Sequence, residues 1–187
     1  MRGNRDTLIL ASGSPRRAQI LKMAGIPFRS RAAGVDEKPC SGEKPAAYAV
    51  RLAREKAEAA RRPGEVALGA DTVVIVGKEA LGKPRDARDA ARMLRALSGR
   101  MHRVITGVCL LGEGWSRSEA VETRVWFRRL SGAEIAEYVA SGEPLDKAGA
   151  YAIQGLASRF VERIEGCYFN VMGLPVSRVY EWLRDLR

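Results

Sequence analysis

Cysteine, histidine and aromatic residues are all scarce in this chain, and each scarcity excludes something. The three cysteines, Cys40, Cys109 and Cys167, are odd in number and form no C-x-x-C pair. That argues against a disulfide scaffold or a structural zinc site and suits thiols in a reducing compartment. The single histidine, His102, falls between a predicted helix and a predicted strand with no Ser or Cys partner pattern, so it reads as structural. Only four Phe are present, too few for a ladder of rings stacking along a nucleic-acid strand. No run of five like charges offers a tail to wrap nucleic acid. No apolar stretch is long enough to span a bilayer, and residues 1–6 are polar with no signal-peptide core behind them. A cytoplasmic location is the expectation, with no membrane partner.

What remains is ordinary globular material. The 187 residues are 46% apolar and 29% charged, enough for one domain, or two closely joined lobes, over residues 1–187 with a substantial core. The net charge is +10. A charge of that size attracts polyanions such as nucleotides, nucleic acid or an acidic membrane, and a solvated basic surface accounts for it as well. Only seven of the thirty-two basic residues are lysine, so the basicity is mostly arginine.

The hydrophobic pattern alternates between periods. Residues 7–11 read as a buried strand, broken by Ser12-Gly13-Ser14. Ser14 is a good N-cap with Pro15 at the first helical position, and Gly25 stops the helix after Ala24. A strand at residues 28–33 and an Ala-rich helix from Pro45 to about Arg62 follow. Residues 66–76 are β-branched and apolar, interrupted by Gly69-Ala70-Asp71, and Gly77-Lys78 turns the chain into a short returning strand. Asp86 caps a helix with Ala90, Met93, Leu94 and Leu97 on one face, and Gly99 ends it. Residues 104–111 and 120–127 read as paired strands, and Ser131 with Glu134 forms a capping box. Short strands are expected at residues 151–154 and 160–165. A last helix from about Pro175 carries Val176, Val179, Tyr180 and Leu183 on one face. Strand–helix alternation followed by strand pairs predicts an α/β domain with a mixed sheet.

Four segments hold residues suited to chemistry. The first, Ser12-Gly13-Ser14-Pro15-Arg16-Arg17, runs from a strand into a helix start, where free N–H groups and the dipole favour an anion. Two arginines there oppose the dipole, which makes sense if an anion sits beside them; a capped helix with surface arginines reads equally well. The second, 77–84, nearly matches the phosphate loop G-x-x-x-x-G-K-S/T but ends in Pro84, which has neither the hydroxyl nor an N–H. It reads as a hairpin and turn, from which Lys83 can still reach a phosphate as a point charge. The third places Asp71 at the end of an apolar run, where a carboxylate needs solvent, a cation or a metal. Gly69 and Ala70 beside it leave room for a ligand. The fourth runs from Glu143 to Gly155 and ends with Gln154, whose amide offers a donor and an acceptor suited to a base edge. Asp36-Glu37 fits a solvated loop, and Lys56 a surface ion pair with Glu55.

Together the ordered segments resemble the Maf family of nucleotide pyrophosphatases. They include Ala11-Ser12-Gly13-Ser14-Pro15-Arg16-Arg17, Asp36-Glu37, Leu52-Ala53-Arg54-Glu55-Lys56-Ala57 and Gly69-Ala70-Asp71-Thr72. Gly82-Lys83-Pro84, Thr106-Gly107-Val108, Asp146-Lys147-Ala148-Gly149-Ala150-Tyr151 and Gly173-Leu174-Pro175 continue the series. The resemblance implies an elongated mixed β-sheet with flanking helices and two lobes around a central cleft. It implies hydrolysis between the α- and β-phosphates with a divalent cation, Mg or Mn. Asp71 matches the family's catalytic acid, and Glu37 and Asp71 help place the metal. Arg16, Thr72 and Gln154 match positions tied to substrate choice. Ser14, Arg17, Glu37, Lys56, Lys83 and Lys147 match its polar cleft set. The stretch ending in Gln154 looks like the branch acting on dTTP and UTP, whose bases offer one N–H between two carbonyls. The branch acting on 7-methyl-GTP typically has an acid there. Ala157-Ser158 departs from the family's more usual glycine. Nucleic acid is not required by this reading, and a homodimer is left open. A nucleic-acid-binding or cell-division regulatory protein is the alternative from another class.

Overall fold

The computed structural model describes residues 8–32 and 34–186. Thr7, Ala33 and the polar segment 1–6, included in the expectations above, lie outside the described residues. Seven strands form one sheet in the order β2-β1-β3-β5-β6-β7, with β4 beside β3. They are β1 (Leu8–Leu10), β2 (Phe28–Ser30), β3 (Ala67–Val76), β4 (Glu79–Leu81), β5 (Met101–Gly112), β6 (Trp115–Phe127) and β7 (Val161–Glu165). The sheet is mixed: β1 runs parallel to β2 and β3, while β4 returns antiparallel to β3 and β7 antiparallel to β6. The helices are α1 (Pro15–Met23), α2 (Pro45–Ala60), α3 (Ala87–Leu97), α4 (Gly132–Ala140), α5 (Tyr168–Val171) and α6 (Val176–Arg184).

Two compact units divide the chain. The first holds Met1–Asp71, Thr106–Val121 and Gly173–Arg187; the second holds Thr72–Ile105 and Glu122–Met172. β3, β5 and β6 run on from one unit into the other, and the boundary on β3 falls between Asp71 and Thr72.

In the first unit, α2 lies on the sheet with unusually close backbones. Its inner face is Ala49, Ala53, Ala57 and Ala60, all essentially sealed from solvent. Opposite stand Gly69 on β3 and Gly107 on β5. A Cβ on Gly69 would overlap the Ala53 carbonyl, and one on Gly107 would overlap the Ala49 carbonyl. The alternation of a strand puts Ala67, Gly69 and Asp71 on this same face. Ile9, Ala11 and Cys109 complete the cluster beneath the helix. The room expected for a ligand beside Gly69 is therefore filled by the backbone of α2. β3 also continues through Gly69-Ala70-Asp71 without the expected interruption, because small residues cost a strand little when a helix covers them. At the C-terminal end of α2, Arg31 donates to the Ala60 carbonyl at 2.6 Å and pairs with Glu65.

The helix signals behave as their chemistry requires, with two exceptions. The Asp86 side chain accepts from the Asp89 N–H, and Ser131 with Glu134 forms a full capping box. Gly25 adopts φ +65° after α1. Ser14 occupies the N-cap position of α1, but its side chain makes no cap bond. Ser12 Oγ instead accepts the Ser14 N–H at 3.2 Å. Tyr180 was expected on the apolar face of α6 and is more than half exposed, while Val179 beside it is buried.

The second unit is built around aromatic rings. His102, Phe127 and Tyr151 meet edge to face, as do Tyr138 and Phe160. His102 is 1% exposed, and its Nε2 shares a hydrogen bond of 2.8 Å with the Tyr151 hydroxyl. Burial pulls its pKa down to about 4. The expected strand at residues 151–154 is absent: the segment is a turn between two 3-10 turns, Ala148–Ala150 and Leu156–Phe160.

Two outcomes follow. Gly69→Ala drives a methyl group into the α2 backbone, and a loss of at least about 3 kcal/mol, or failure to fold, is expected in denaturant unfolding. His102 is held neutral in the folded chain, whereas the unfolded chain binds its proton near pH 6.5. Its contribution to stability is thus complete above that pH and is lost as pH falls toward about 4. The loss reaches about 3 kcal/mol, and His102→Gln removes this pH dependence from the unfolding curves.

Candidate active site

The close approach of α2 to β3 sets the first group of polar residues. Ala53 and Lys56 share a face of the helix, three residues apart, and Gly69 and Asp71 share a face of the strand. With Ala53 seated on Gly69, the Lys56 side chain reaches Asp71. Its Nζ donates to Asp71 Oδ1 at 2.7 Å, and it lies 2.7 Å from Glu37 Oε1. Lys56 and Asp71 are 9% and 8% exposed, so this is a buried ion pair with a half-exposed second carboxylate. The surface pairing of Lys56 with Glu55 does not form; Glu55 pairs with Arg51 instead.

Glu37 comes from a loop that α2 holds in place. Tyr48 Oη donates to the Glu37 carbonyl at 2.7 Å, and Arg51 Nη2 donates to the Lys38 carbonyl at 3.1 Å. Arg51 also grips Glu43, holding that carboxyl down to about 2. Tyr48 and Arg51 were not among the residues singled out from sequence. Their signal was weak, since both look like ordinary residues of an amphipathic helix.

Burial raises the pKa of Asp71 above the ordinary aspartate value, against the opposing pull of Lys56 and Arg17. A carboxylate poised in this way holds a proton more readily than a surface one. Arg17, in the first turn of α1, donates from Nε to the Gly173 carbonyl at 2.8 Å and from Nη1 to Ser12 Oγ at 3.0 Å. Burial pulls its pKa down, with Asp71 opposing that effect. Gly173-Leu174-Pro175 thus anchors the arginine before α6. Arg16, Arg17 and Ser14 are partly buried at the start of α1.

The remaining sequence candidates lie in the second unit. Thr72 is half-buried on β3 and Lys83 is exposed after β4. The Gly149 N–H donates to the Gly82 carbonyl at 3.0 Å, which ties the turn bearing Lys83 to the segment bearing Lys147. Lys147 Nζ donates to the Glu143 carbonyl at 2.8 Å and pairs with Asp146. Gln154 is exposed within the turn 152–155. Ala150 at φ +58° is the one non-glycine at positive φ among the described residues. The first unit accordingly gathers Ser14, Arg16, Arg17, Glu37, Lys56 and Asp71, and the second bears Thr72, Lys83, Lys147 and Gln154.

A buried carboxylate of raised pKa, a lysine bridging it to a second carboxylate and a guanidinium nearby are groups able to exchange a proton and to attract an anion. A family model described as Maf-like protein matches residues 7–186. The chain is 52% identical over 179 residues to the dTTP/UTP pyrophosphatase of Koribacter versatilis (strain Ellin345), covering 95% of this chain and 93% of that one. It is 53% identical over 178 residues to the dTTP/UTP pyrophosphatase of Syntrophomonas wolfei, covering 93% and 94%. A relative of the same name from Anaeromyxobacter dehalogenans (strain 2CP-C) is 52% identical over 181 residues, covering 95% and 92%. The chain belongs to the Maf family.

The Lys56–Asp71 pair generates a test. Lys56 lowers the Asp71 pKa, so Lys56→Met raises it further, measurable by carboxyl-carbon NMR titration. A carboxyl whose folded pKa exceeds its unfolded one contributes stability that is lost as pH rises through the folded value. The variant is therefore expected to lose more stability at about pH 8 than at about pH 5.

Proposed function

We infer that this protein hydrolyses dTTP and UTP to the monophosphate and pyrophosphate. The observation that carries the reading is the Lys56 ammonium held between Asp71 and Glu37, in a chain about half identical to dTTP/UTP pyrophosphatases over nearly its whole length. Residues 1–187 are taken as one catalytic domain. Arg16, Arg17 and the N-terminus of α1 hold phosphate oxygens, with Ser14, Lys83 and Lys147 adding donors. Asp71 accepts the proton of the attacking water as its oxygen bonds to the α-phosphorus and the α–β anhydride bond breaks. Lys56 keeps Asp71 ionised and oriented. The electron pair of the broken bond leaves on pyrophosphate, whose charge the arginines and lysines offset.

The donor set also suits a hard divalent cation, Mg or Mn. Glu37 and Asp71 supply carboxylate oxygens, and no group of three His, Cys, Asp or Glu side chains able to hold a metal occurs among the described residues. One or two carboxylates completed by substrate phosphates is the usual arrangement for magnesium. Held by Glu37 and Asp71, such an ion would polarise phosphoryl oxygens and lower the charge on the leaving group. Gln154, with Thr72 and Arg16, selects the base. Its amide oxygen meets the single N–H of uracil or thymine and its NH₂ meets a flanking carbonyl, whereas guanine's two adjacent donors call for a carboxylate.

Three free thiols and the lack, among the described residues, of any helix long and apolar enough to cross a membrane support a cytoplasmic location. The net charge of +10 supports a second reading, a nucleic-acid-binding or cell-division regulatory protein. That reading predicts salt-sensitive nucleic-acid binding that survives Asp71→Asn. The direct test is a screen of nucleoside triphosphates with magnesium or manganese and identified products. Pyrophosphate from dTTP and UTP, with no nucleic acid added, is expected; orthophosphate would indicate removal of the terminal phosphate instead. Asp71→Asn should remain folded and lose at least about a hundredfold in rate, and retained activity would remove Asp71 from the mechanism.

A further inference from the structure

The turn that bears Gln154 is held at both ends by side chains rather than by strand pairing. Its first anchor is Tyr138, in the last turns of α4. This residue is 0% exposed, its ring lies edge to face on Phe160, and its hydroxyl accepts the Ala152 N–H at 3.2 Å. The same hydroxyl donates to Glu143 Oε1 at 2.8 Å. The other carboxylate oxygen, Glu143 Oε2, accepts the Leu156 N–H at 3.1 Å and forms the second anchor. Between the anchors the turn closes on itself through the Gly155 N–H and the Ala152 carbonyl, 3.0 Å apart. Glu143 also takes the Lys147 ammonium on its backbone carbonyl at 2.8 Å.

Gly155 supplies an independent observation. Its backbone is extended, at φ −103° and ψ −153°, which an alanine can adopt, so glycine is not demanded by conformation. It is demanded by proximity: a Cβ there would overlap both oxygens of the Glu143 carboxylate. The loop is packed directly on the group that anchors it.

We propose that Tyr138 and Glu143 form a positioning pair that fixes Gln154 for pyrimidine recognition, and so help determine which base is accepted. This rests on the reading of Gln154 as the residue that meets the base. A hydrogen-bonding side chain discriminates only if it is held where the base presents its groups. An exposed turn without these bonds would leave the glutamine free to turn away, at a cost to pyrimidines and none to bases that never used it.

The experiment compares kcat/KM for UTP and for GTP in the intact enzyme, where the ratio is insensitive to the fraction of protein that is folded. Glu143→Ala removes the second anchor. Gly155→Ala displaces the Glu143 carboxylate, which can swing aside because it is the far end of a flexible chain. Each is expected to lower the UTP to GTP ratio roughly tenfold, with the change carried by KM for UTP more than by kcat. Glu143→Gln keeps an oxygen for the Leu156 N–H and is expected to recover most of the ratio. Gln154→Glu serves as the reference in the same assay. If it leaves the ratio unchanged, the assignment of base reading to Gln154 fails and the positioning role falls with it. If Gln154→Glu shifts the ratio while Glu143→Ala and Gly155→Ala do not, the positioning pair alone is overturned.

Discussion

The backbone contact between α2 and β3 at Gly69 is the constraint on which the acid group depends. Helices ordinarily stand off a sheet by the thickness of their side chains. Here a row of alanines faces two glycines, and the helix sinks until the Ala53 carbonyl occupies the space of a missing Cβ. One consequence is packing: a dense small-residue layer with Ile9, Ala11 and Cys109. The other is chemical. At that depth a lysine one helical turn along reaches a carboxylate two strand residues along at 2.7 Å.

The electrostatics follow from the same depth. An aspartate this buried would be strongly destabilising without a counter-charge, and Lys56 and Arg17 both offset that cost. Burial still prevails over the two cations in the direction of the pKa. The Asp71 carboxyl accordingly holds a proton more readily than a surface aspartate. Glu37 is the outer member, and its loop is held by Tyr48 and Arg51, so α2 orders all three members of the group.

In the second unit, order comes from a different source. The segment 143–156 alternates short 3-10 turns with irregular chain and holds no strand, and the Ala152 and Leu156 N–H groups are met by side chains. The Tyr138 hydroxyl and the Glu143 carboxylate replace the strand partner that the apolar run Tyr151-Ala152-Ile153 suggested. The Tyr151 ring packs edge to face with His102 and Phe127, and Ala152 and Ile153 are buried beside it in sequence without a ladder.

Local chemistry was legible from the chain. Pro15 and Gly25 bound α1, Asp86 and the Ser131–Glu134 box start two helices, and the stripe Ala90, Met93, Leu94, Leu97 is buried. The ordered segments were enough to place the chain in its family. Sequence by itself therefore determined most of the element types and the mixed α/β class and named the candidate residues, because caps, turns and periodicity act over a few neighbours. Tertiary structure alone decided that Lys56 pairs with Asp71 rather than with Glu55. It also decided that Gly69 receives a helix and not a ligand, and that residues 151–154 form a pinned turn. Those outcomes depend on groups 13 residues or more apart in the chain meeting at atomic distance, as Leu156 does with Glu143 and Lys56 with Asp71. No pattern of neighbouring residues encodes where such a meeting falls.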